Sequence, residues 1–395
     1  MNSLGALEDR KILLLQGPMG TFFNRLDHNF RKQGAVTYRI GFNKGDQFFS
    51  SKDNYTAFKE RREAWPTFIQ TFLEEKQIDT VMLFGDCRYY QSVMSDVAEV
   101  LGLDVLVFEE GYLRPHYITM ERSGVNGFSQ LSRDPDFYLS LPVEIVCEPE
   151  HAHNSKSKLV IYSIIYYALS NLFSYQYPHY EHHRGFSAIK EAFYGVRAAV
   201  RKFIYAFTES RCLPRFTEEL SKKYYFVPLQ THNDFQILQH SNYLSIEKFI
   251  IEVLESFTQD APDDTWLVFK HHPVDRGRKN YRSFIMEQAE ILNIRDRVIV
   301  VHDVFLPDLL THAKATITIN STVGLTSIEY GIPTITLGDA VYNMKGLTNH
   351  GKILKDFWMD HQSPNEELYR KFRQFLIQNT QLNGSFYGCM PKELA

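Results

Sequence analysis

Short apolar runs recur along the chain, and each ends in small or charged residues. Lys11-Ile-Leu-Leu-Leu-Gln16 leads into Gly17-Pro-Met-Gly-Thr21 and then a helical stretch from Phe22 to Gln33. A buried strand, a glycine turn and a helix in that order predict the opening of a βαβ unit. The pattern repeats at Val36 to Phe42, at Thr80 to Phe84 before Gly85-Asp86, and at Asp104 to Phe108 before Glu109-Glu110-Gly111. A second series opens at Tyr224-Tyr-Phe-Val-Pro-Leu-Gln230. It continues through Trp266 to Lys270, Val298 to Val301, Ala315 to Asn320 and Thr334 to Gly338. Between the series, residues 152–222 read as largely helical, aromatic and basic.

The expected organisation is therefore α/β, with two Rossmann-like domains facing across a cleft. The first spans 1–222 and carries 152–222 as a helical, aromatic-rich insertion. The second spans 223–352, and a helical segment over 353–395 crosses back to the first. A length of 395 residues fits two domains of about 100–200 each.

Composition narrows the function classes. Hydrophobic residues make up 44% and charged residues 23%, the profile of a soluble globular protein, and a net charge of −4 supplies no field to gather nucleic acid. Cys87, Cys147, Cys212 and Cys389 form no CxxC pair and read as free thiols of a reducing compartment, pointing to the cytoplasm. Glu8 and Asp9 precede the first apolar run, the wrong order for a signal peptide. Leu159 to Phe173 is interrupted by Ser163, Ser170 and Asn171 and is shorter than the roughly 20 residues a spanning helix needs.

In open α/β sheets ligands sit at the carboxyl ends of strands. There, Lys270, His271 and His272 are placed to meet a phosphate, with Pro273 fixing the chain's exit; the alternative is a loop whose histidines satisfy nearby carbonyls. Asn320, Ser321 and Thr322 precede Gly324 at a helix start, which suits either an anion site or a plain Ser/Thr cap. Glu329, two turns on, is positioned for the hydroxyls of a ribose. The glycine turn after the first strand lacks the full G-x-G-x-x-G, and Asn43 stands where an acidic ribose ligand would be, which argues against a nicotinamide cofactor.

The ordered set of segments resembles the bacterial capsule polysaccharide biosynthesis family, in its KpsS/LipB branch. The matching stretches are Val227-Pro-Leu-Gln-Thr-His-Asn-Asp234, Lys270 to Pro273, Asn320 to Leu325 with Glu329, Gly331-Ile-Pro333 and Leu337 to Tyr342. Gln16 to Phe23 and Phe108 to Pro115 join them, so the likeness covers most of the chain apart from about 150–220. It implies a GT-B fold and a retaining transfer of Kdo from CMP-Kdo to a (lyso)phosphatidylglycerol acceptor with a β linkage, starting a capsule linker. Members have also been described as export proteins, so a non-enzymatic export or assembly factor stays open, as does a UDP-sugar enzyme on the same scaffold.

Retention by double displacement needs two carboxyl groups. Asp234 and Glu110 are the candidates, with Asp234 the nucleophile by resemblance; the alternatives are a helix cap at Asp234 and a structural pairing of Glu109 or Glu110 with Arg114. Gly17, Gly20, Gly111, Arg114 and Gln230 are expected on the substrate side, Arg114 meeting the Kdo carboxylate or an adjacent glutamate. No cofactor is expected beyond the donor, and no metal. Asp134-Pro-Asp136 reads as a turn, and His151, His153, His179, His182 and His183 as solvated positions. Leu159 to Phe173 and Phe186 to Phe207, with Lys190, Arg197, Arg201 and Lys202, suit either a lipid headgroup boundary or packing on the first domain. The expected location is peripheral, at the inner face of the cytoplasmic membrane, possible company there being other capsule assembly proteins.

Overall fold

The computed structural model describes residue 5 and residues 7–143, 149–181 and 188–395. Cys147, His182, His183 and the side chain of Lys190 lie outside what is described. In chain order the strands are β1 Lys11–Leu15, β2 Val36–Gly41, β3 Tyr55–Ala57, β4 Thr80–Phe84, β5 Asp104–Glu110, β6 Tyr117–Arg122, β7 Tyr224–Pro228, β8 Trp266–Lys270, β9 Val298–Val301, β10 Ala315–Thr318, β11 Thr334–Thr336 and β12 Gln381–Asn383.

Two compact units result. The first comprises Met1–Gln130, Glu144–Lys190 and Gln374–Ala395; the second comprises Leu131–Val143 and Glu191–Arg373. In the first, a seven-stranded sheet runs β12-β6-β5-β4-β1-β2-β3, parallel from β5 to β3 and antiparallel at β6 and β12. In the second, β11-β10-β7-β8-β9 are all parallel. From β9 to β11 this is the 3-2-1-4-5 order of a Rossmann half, and β3 to β5 repeat it in the first unit. The expectation of two Rossmann-like domains is met.

The apolar runs form strands because both sheet faces are buried, so neighbouring residues face different cores. Ile12 and Leu14 pack with Phe22 and Phe23, whereas Leu13 and Leu15 pack with Trp65 and Ile69. In the second unit Tyr225 and Val227 join Phe257 and Trp358, while Tyr224 and Phe226 join Phe216 and Leu309.

The units are cut differently from the expected domains. The aromatic stretch is divided at Lys190 and Glu191 instead of staying whole with the first domain up to residue 222. The helix Lys156–Leu172 packs on the first unit, where the Tyr166 hydroxyl lies 2.6 Å from Asn43 Nδ2 and 3.0 Å from Asp46 Oδ1. From Glu191 on, the helix Ala188–Glu209 belongs to the second unit because its polar side chains bind backbone there. Arg197 donates to the carbonyls of Gly277 and Arg278 at 2.5 Å each, and Arg201 to that of Arg276 at 2.9 Å. Glu209 accepts the N–H groups of His302 and Asp303 at 3.0 and 2.7 Å. Arg197 and Arg201, for which a lipid boundary and packing on the first domain were both open, instead turn inward to satisfy a turn of the second unit. The segment 353–395 is also divided: the helix Glu366–Asn379 is followed by β12, which extends the first sheet beside β6. Among the described residues no helix is long and apolar enough to cross a membrane.

At Gly277 the helix Ala188–Glu209 lies against the chain so closely that a Cβ would overlap the carbonyl oxygen of Tyr194. Gly277→Ala is therefore expected to destabilise the protein by about 1–3 kcal/mol, read as a lower midpoint in urea unfolding.

Candidate functional site

The order of the second sheet places its topological switch point between β7 and β10, the crevice where ligands of such sheets bind. One side chain spans that point. Gln230, just beyond β7, donates from Nε2 to Asn320 Oδ1 at 2.9 Å and to Asp234 Oδ2 at 3.2 Å, and its Oε1 accepts the Asn320 N–H at 3.3 Å. Gln230 is buried, so an unmade bond there would cost about 1–3 kcal/mol. Asn320 in turn donates to the Gln236 carbonyl at 3.0 Å. The loops leaving β7 and β10 are thereby fixed in register.

Asp234 caps the helix Phe235–His240, its Oδ1 accepting the Gln236 N–H at 3.0 Å. The expected alternative of a cap is thus realised, and the carboxylate also takes the Gln230 amide. At the β10 end, Ser321 caps the helix Thr322–Glu329, its Oγ accepting the Val323 N–H at 3.2 Å. The Thr322 hydroxyl has no protein partner among the described residues, so the first turn of this helix keeps hydrogen-bonding capacity for an anion.

Lys270 to Pro273 are not presented to one ligand as a block. His271 is 3% exposed; its Nε2 accepts the Tyr281 N–H at 3.1 Å, and its ring stacks on that of His302 with centroids 4.5 Å apart. Burial pushes its pKa down to about 3, the nearby His302 adding to the effect, so it is neutral and supplies no charge to a phosphate. His271 is a core residue, and its assignment to phosphate is corrected. Lys270 donates to the His302 carbonyl at 2.7 Å, and burial lowers its pKa while Asp303 and Glu209 oppose that. His272 caps the short helix Pro273–Gly277, its Nδ1 accepting the Val274 N–H at 3.2 Å.

The imidazole the sequence reading passed over is His232. Its N–H donates to Asp275 Oδ2 at 2.8 Å and its Nδ1 lies 2.6 Å from Asp275 Oδ1; Asp275 is 1% exposed. A buried carboxylate on Nδ1 holds the proton there and leaves Nε2 as the outward nitrogen. The signal was present in Thr231-His-Asn-Asp234 and Pro273-Val-Asp275, but two loops had to be brought together to read it.

Several other expected positions serve the fold. A Cβ at Gly324 would overlap the hydroxyl of Tyr342, which donates to the Ser321 carbonyl across the helix start. Gly17 is crowded by the Phe23 ring, and Gly20, at φ +127°, by the Tyr162 ring. At each of these three glycines the space a Cβ would take is filled by an aromatic ring of the same chain. Gly111 makes room for the Tyr117 carbonyl between β5 and β6. Glu329 ends its helix at 4.0 Å from Arg373 Nε, away from the helix start that would hold an anion. Asp134 caps the helix Pro135–Leu139 by accepting the Asp136 N–H at 3.0 Å. Among the described residues no three His, Cys, Asp or Glu side chains converge as metal ligands.

In the first unit, Glu109 and Glu110 end β5. Arg114 is exposed and donates from Nε to the Gly111 carbonyl at 3.2 Å; among the described residues it pairs with no carboxylate, so the structural pairing with Glu109 or Glu110 is not formed. Burial pushes the Glu109 carboxyl up to about 7; the Glu110 N–H, 3.1 Å from its Oε1, and the charge of Arg88 pull the other way.

A sequence profile described as capsule polysaccharide biosynthesis protein matches residues 79–387. The capsule polysaccharide export protein KpsS of Escherichia coli is 39% identical over 381 residues, covering 96% of this chain and 98% of that protein. The capsule polysaccharide modification protein LipB of Neisseria meningitidis serogroup B is 35% identical over 387 residues, covering 95% and 91%. Among solved structures, the beta Kdo 2,7 transferase KpsC of Thermosulfurimonas dismutans aligns at 15% identity with a TM-score of 0.40 over 93% of this chain and all of that one.

The raised Glu109 pKa has a signed consequence. Its protonated form is favoured in the fold, so the stability it contributes is complete below about pH 4.5 and is lost as pH rises through about 7. Glu109→Gln should gain on the parent protein across that window by ~1–3 kcal/mol, with no difference at the acid end, as measured by urea unfolding at each pH.

Proposed function

The chain belongs to the capsule polysaccharide biosynthesis protein family, and on that premise we propose that it is a retaining β-Kdo glycosyltransferase. It takes Kdo from CMP-Kdo and joins it to a (lyso)phosphatidylglycerol acceptor, beginning the poly-Kdo linker of a capsular polysaccharide. The observation that carries the reading is the Gln230 bridge, which holds a carboxylate, Asp234, beside an anion-binding helix start at one switch point.

Each part has a role the chemistry requires. The donor's leaving group is a nucleotide with a single phosphate, which the Thr322 helix start, Ser321, Lys270 and the Nε2 side of His232 neutralise; we assign no metal a step. Asp234, its oxygens oriented by Gln230 and the Gln236 N–H, attacks the anomeric carbon as the bond to CMP breaks and its electrons leave with the phosphate. An acceptor hydroxyl then displaces Asp234 while losing its proton to a carboxylate, and two inversions return the original configuration. A general base works best with a pKa near the operating pH. Glu109 meets that condition through its burial, so we assign the base to Glu109, and the Arg114 guanidinium is proposed to meet the Kdo carboxylate.

The purified protein, given CMP-Kdo and a short-chain phosphatidylglycerol, is expected to form a β-linked Kdo lipid, identified by mass and by the anomeric configuration in NMR spectra. Asp234→Asn and Glu109→Gln should each lower turnover by about 100-fold or more, and Glu110→Gln by much less. Undiminished turnover in both Asp234→Asn and Glu109→Gln would sink the mechanism. Protection from thermal unfolding by UDP but not CMP would favour a UDP-sugar enzyme. Binding of polysaccharide or lipid with no product would favour the export factor.

A further inference from the structure

The helix Ala188–Glu209 has two faces of opposite character. Its inner face carries Arg197, Arg201, Tyr205 and Glu209, which hold the turn over residues 276–278 and the ring and backbone of His302; the Tyr205 and His302 rings stack at 4.0 Å. Its outer face carries Phe193, Val196, Val200, Phe203, Ile204 and Phe207, exposed by 47–79%. These positions follow the three-and-four spacing of one helical stripe. Between them stand Gly195, Ala199 and Ala206, which break the stripe with nothing polar. Monomeric soluble proteins scatter such residues singly, and a contiguous patch marks a surface that meets something apolar.

The charges on this face select the occupant. Lys202 is exposed beside the stripe, and the Arg211 guanidinium sits 4.8 Å from the Phe207 ring at its end. From Phe193 to Ser210 the one carboxylate is Glu209, which is buried against His302 and Asp303. Two copies meeting through this face would set Lys202 and Arg211 against their like, with no carboxylate on the described part of the face to answer them. A bilayer of anionic lipid meets both needs, since apolar side chains enter the acyl boundary while the cations stay among the headgroups.

We propose that the outer face of the helix Ala188–Glu209 is a docking surface for an anionic lipid bilayer. The proposal stands independently of the transferase reading, because it concerns binding alone. The docked helix is also the one that clamps the turn following Lys270 to Pro273, so lipid contact and the donor side of the second unit share one rigid element.

The test is flotation of the full chain with vesicles of equal parts phosphatidylcholine and phosphatidylglycerol, and with phosphatidylcholine alone. The mixed vesicles should carry at least about tenfold more protein. The double variant Phe203→Glu/Phe207→Glu should lose that binding while keeping its circular dichroism and thermal midpoint, because both side chains face water. Phe193→Ser/Val196→Ser provides a milder variant should the first fail to fold, and a several-fold loss is expected from it. Absence of flotation, flotation independent of lipid charge, or flotation unchanged in the folded variants would overturn the proposal. So would a dimer in analytical ultracentrifugation that Phe203→Glu/Phe207→Glu converts to monomer, since the face would then belong to a second copy.

Discussion

A buried amide ties together two loops of the second unit, those that leave β7 and β10. Gln230 sits where strand order reverses, between β7 and β10, and its donor and acceptor atoms are both committed across that gap. Every polar group proposed to meet a nucleotide in this unit leaves one of three adjacent strand ends, at β7, β10 or β8. The strands bring those ends together, but only side-chain bonds fix the loops beyond them. Gln230 does so for β7 and β10, and the His232–Asp275 pair does so for β7 and β8. Both pairs are anchored by a buried member, which is what makes such bonds costly to break and therefore specific in geometry.

Beneath this layer lies a second, drier one. His271, His302 and Tyr205 stack in series, with Glu209 bonded to the middle ring, His302, and Lys270 reaching the His302 carbonyl. The neutrality of His271 follows from its burial, and it allows the stack to exist without an unpaired charge in the core. The Lys270 to Pro273 segment thus divides its labour. One histidine builds the floor, one caps the turn, and the lysine ties the end of β8 to the His302 carbonyl.

Most of the sheet architecture was legible because parallel strands buried on both faces must be apolar throughout, and nine such runs stand out. The strands that escaped, β3, β6 and β12, are edge or antiparallel elements. β12 owes its place to β6, more than two hundred and fifty residues away, a pairing that no local pattern carries. Glycines were the most misleading signals. At Gly17, Gly20 and Gly324 the need for a missing Cβ is real, but the neighbour is an aromatic ring of the same chain. Spacing reveals that something comes close, not what it is. His232 was hidden for the converse reason, since its importance lies in Asp275, supplied by another loop. The helix Ala188–Glu209 was read as aromatic and basic, and only packing shows that its arginines turn inward while its phenylalanines turn out.

The central claim is that a nucleotide phosphate is held at the β7/β10 switch point. The most direct test is calorimetric titration of CMP into the parent protein and into Gln230→Leu, with circular dichroism to establish that the variant is folded. Loss of the bridge should weaken CMP binding by about tenfold or more, equivalent to at least ~1.4 kcal/mol. An unchanged affinity in a folded Gln230→Leu variant would contradict the account.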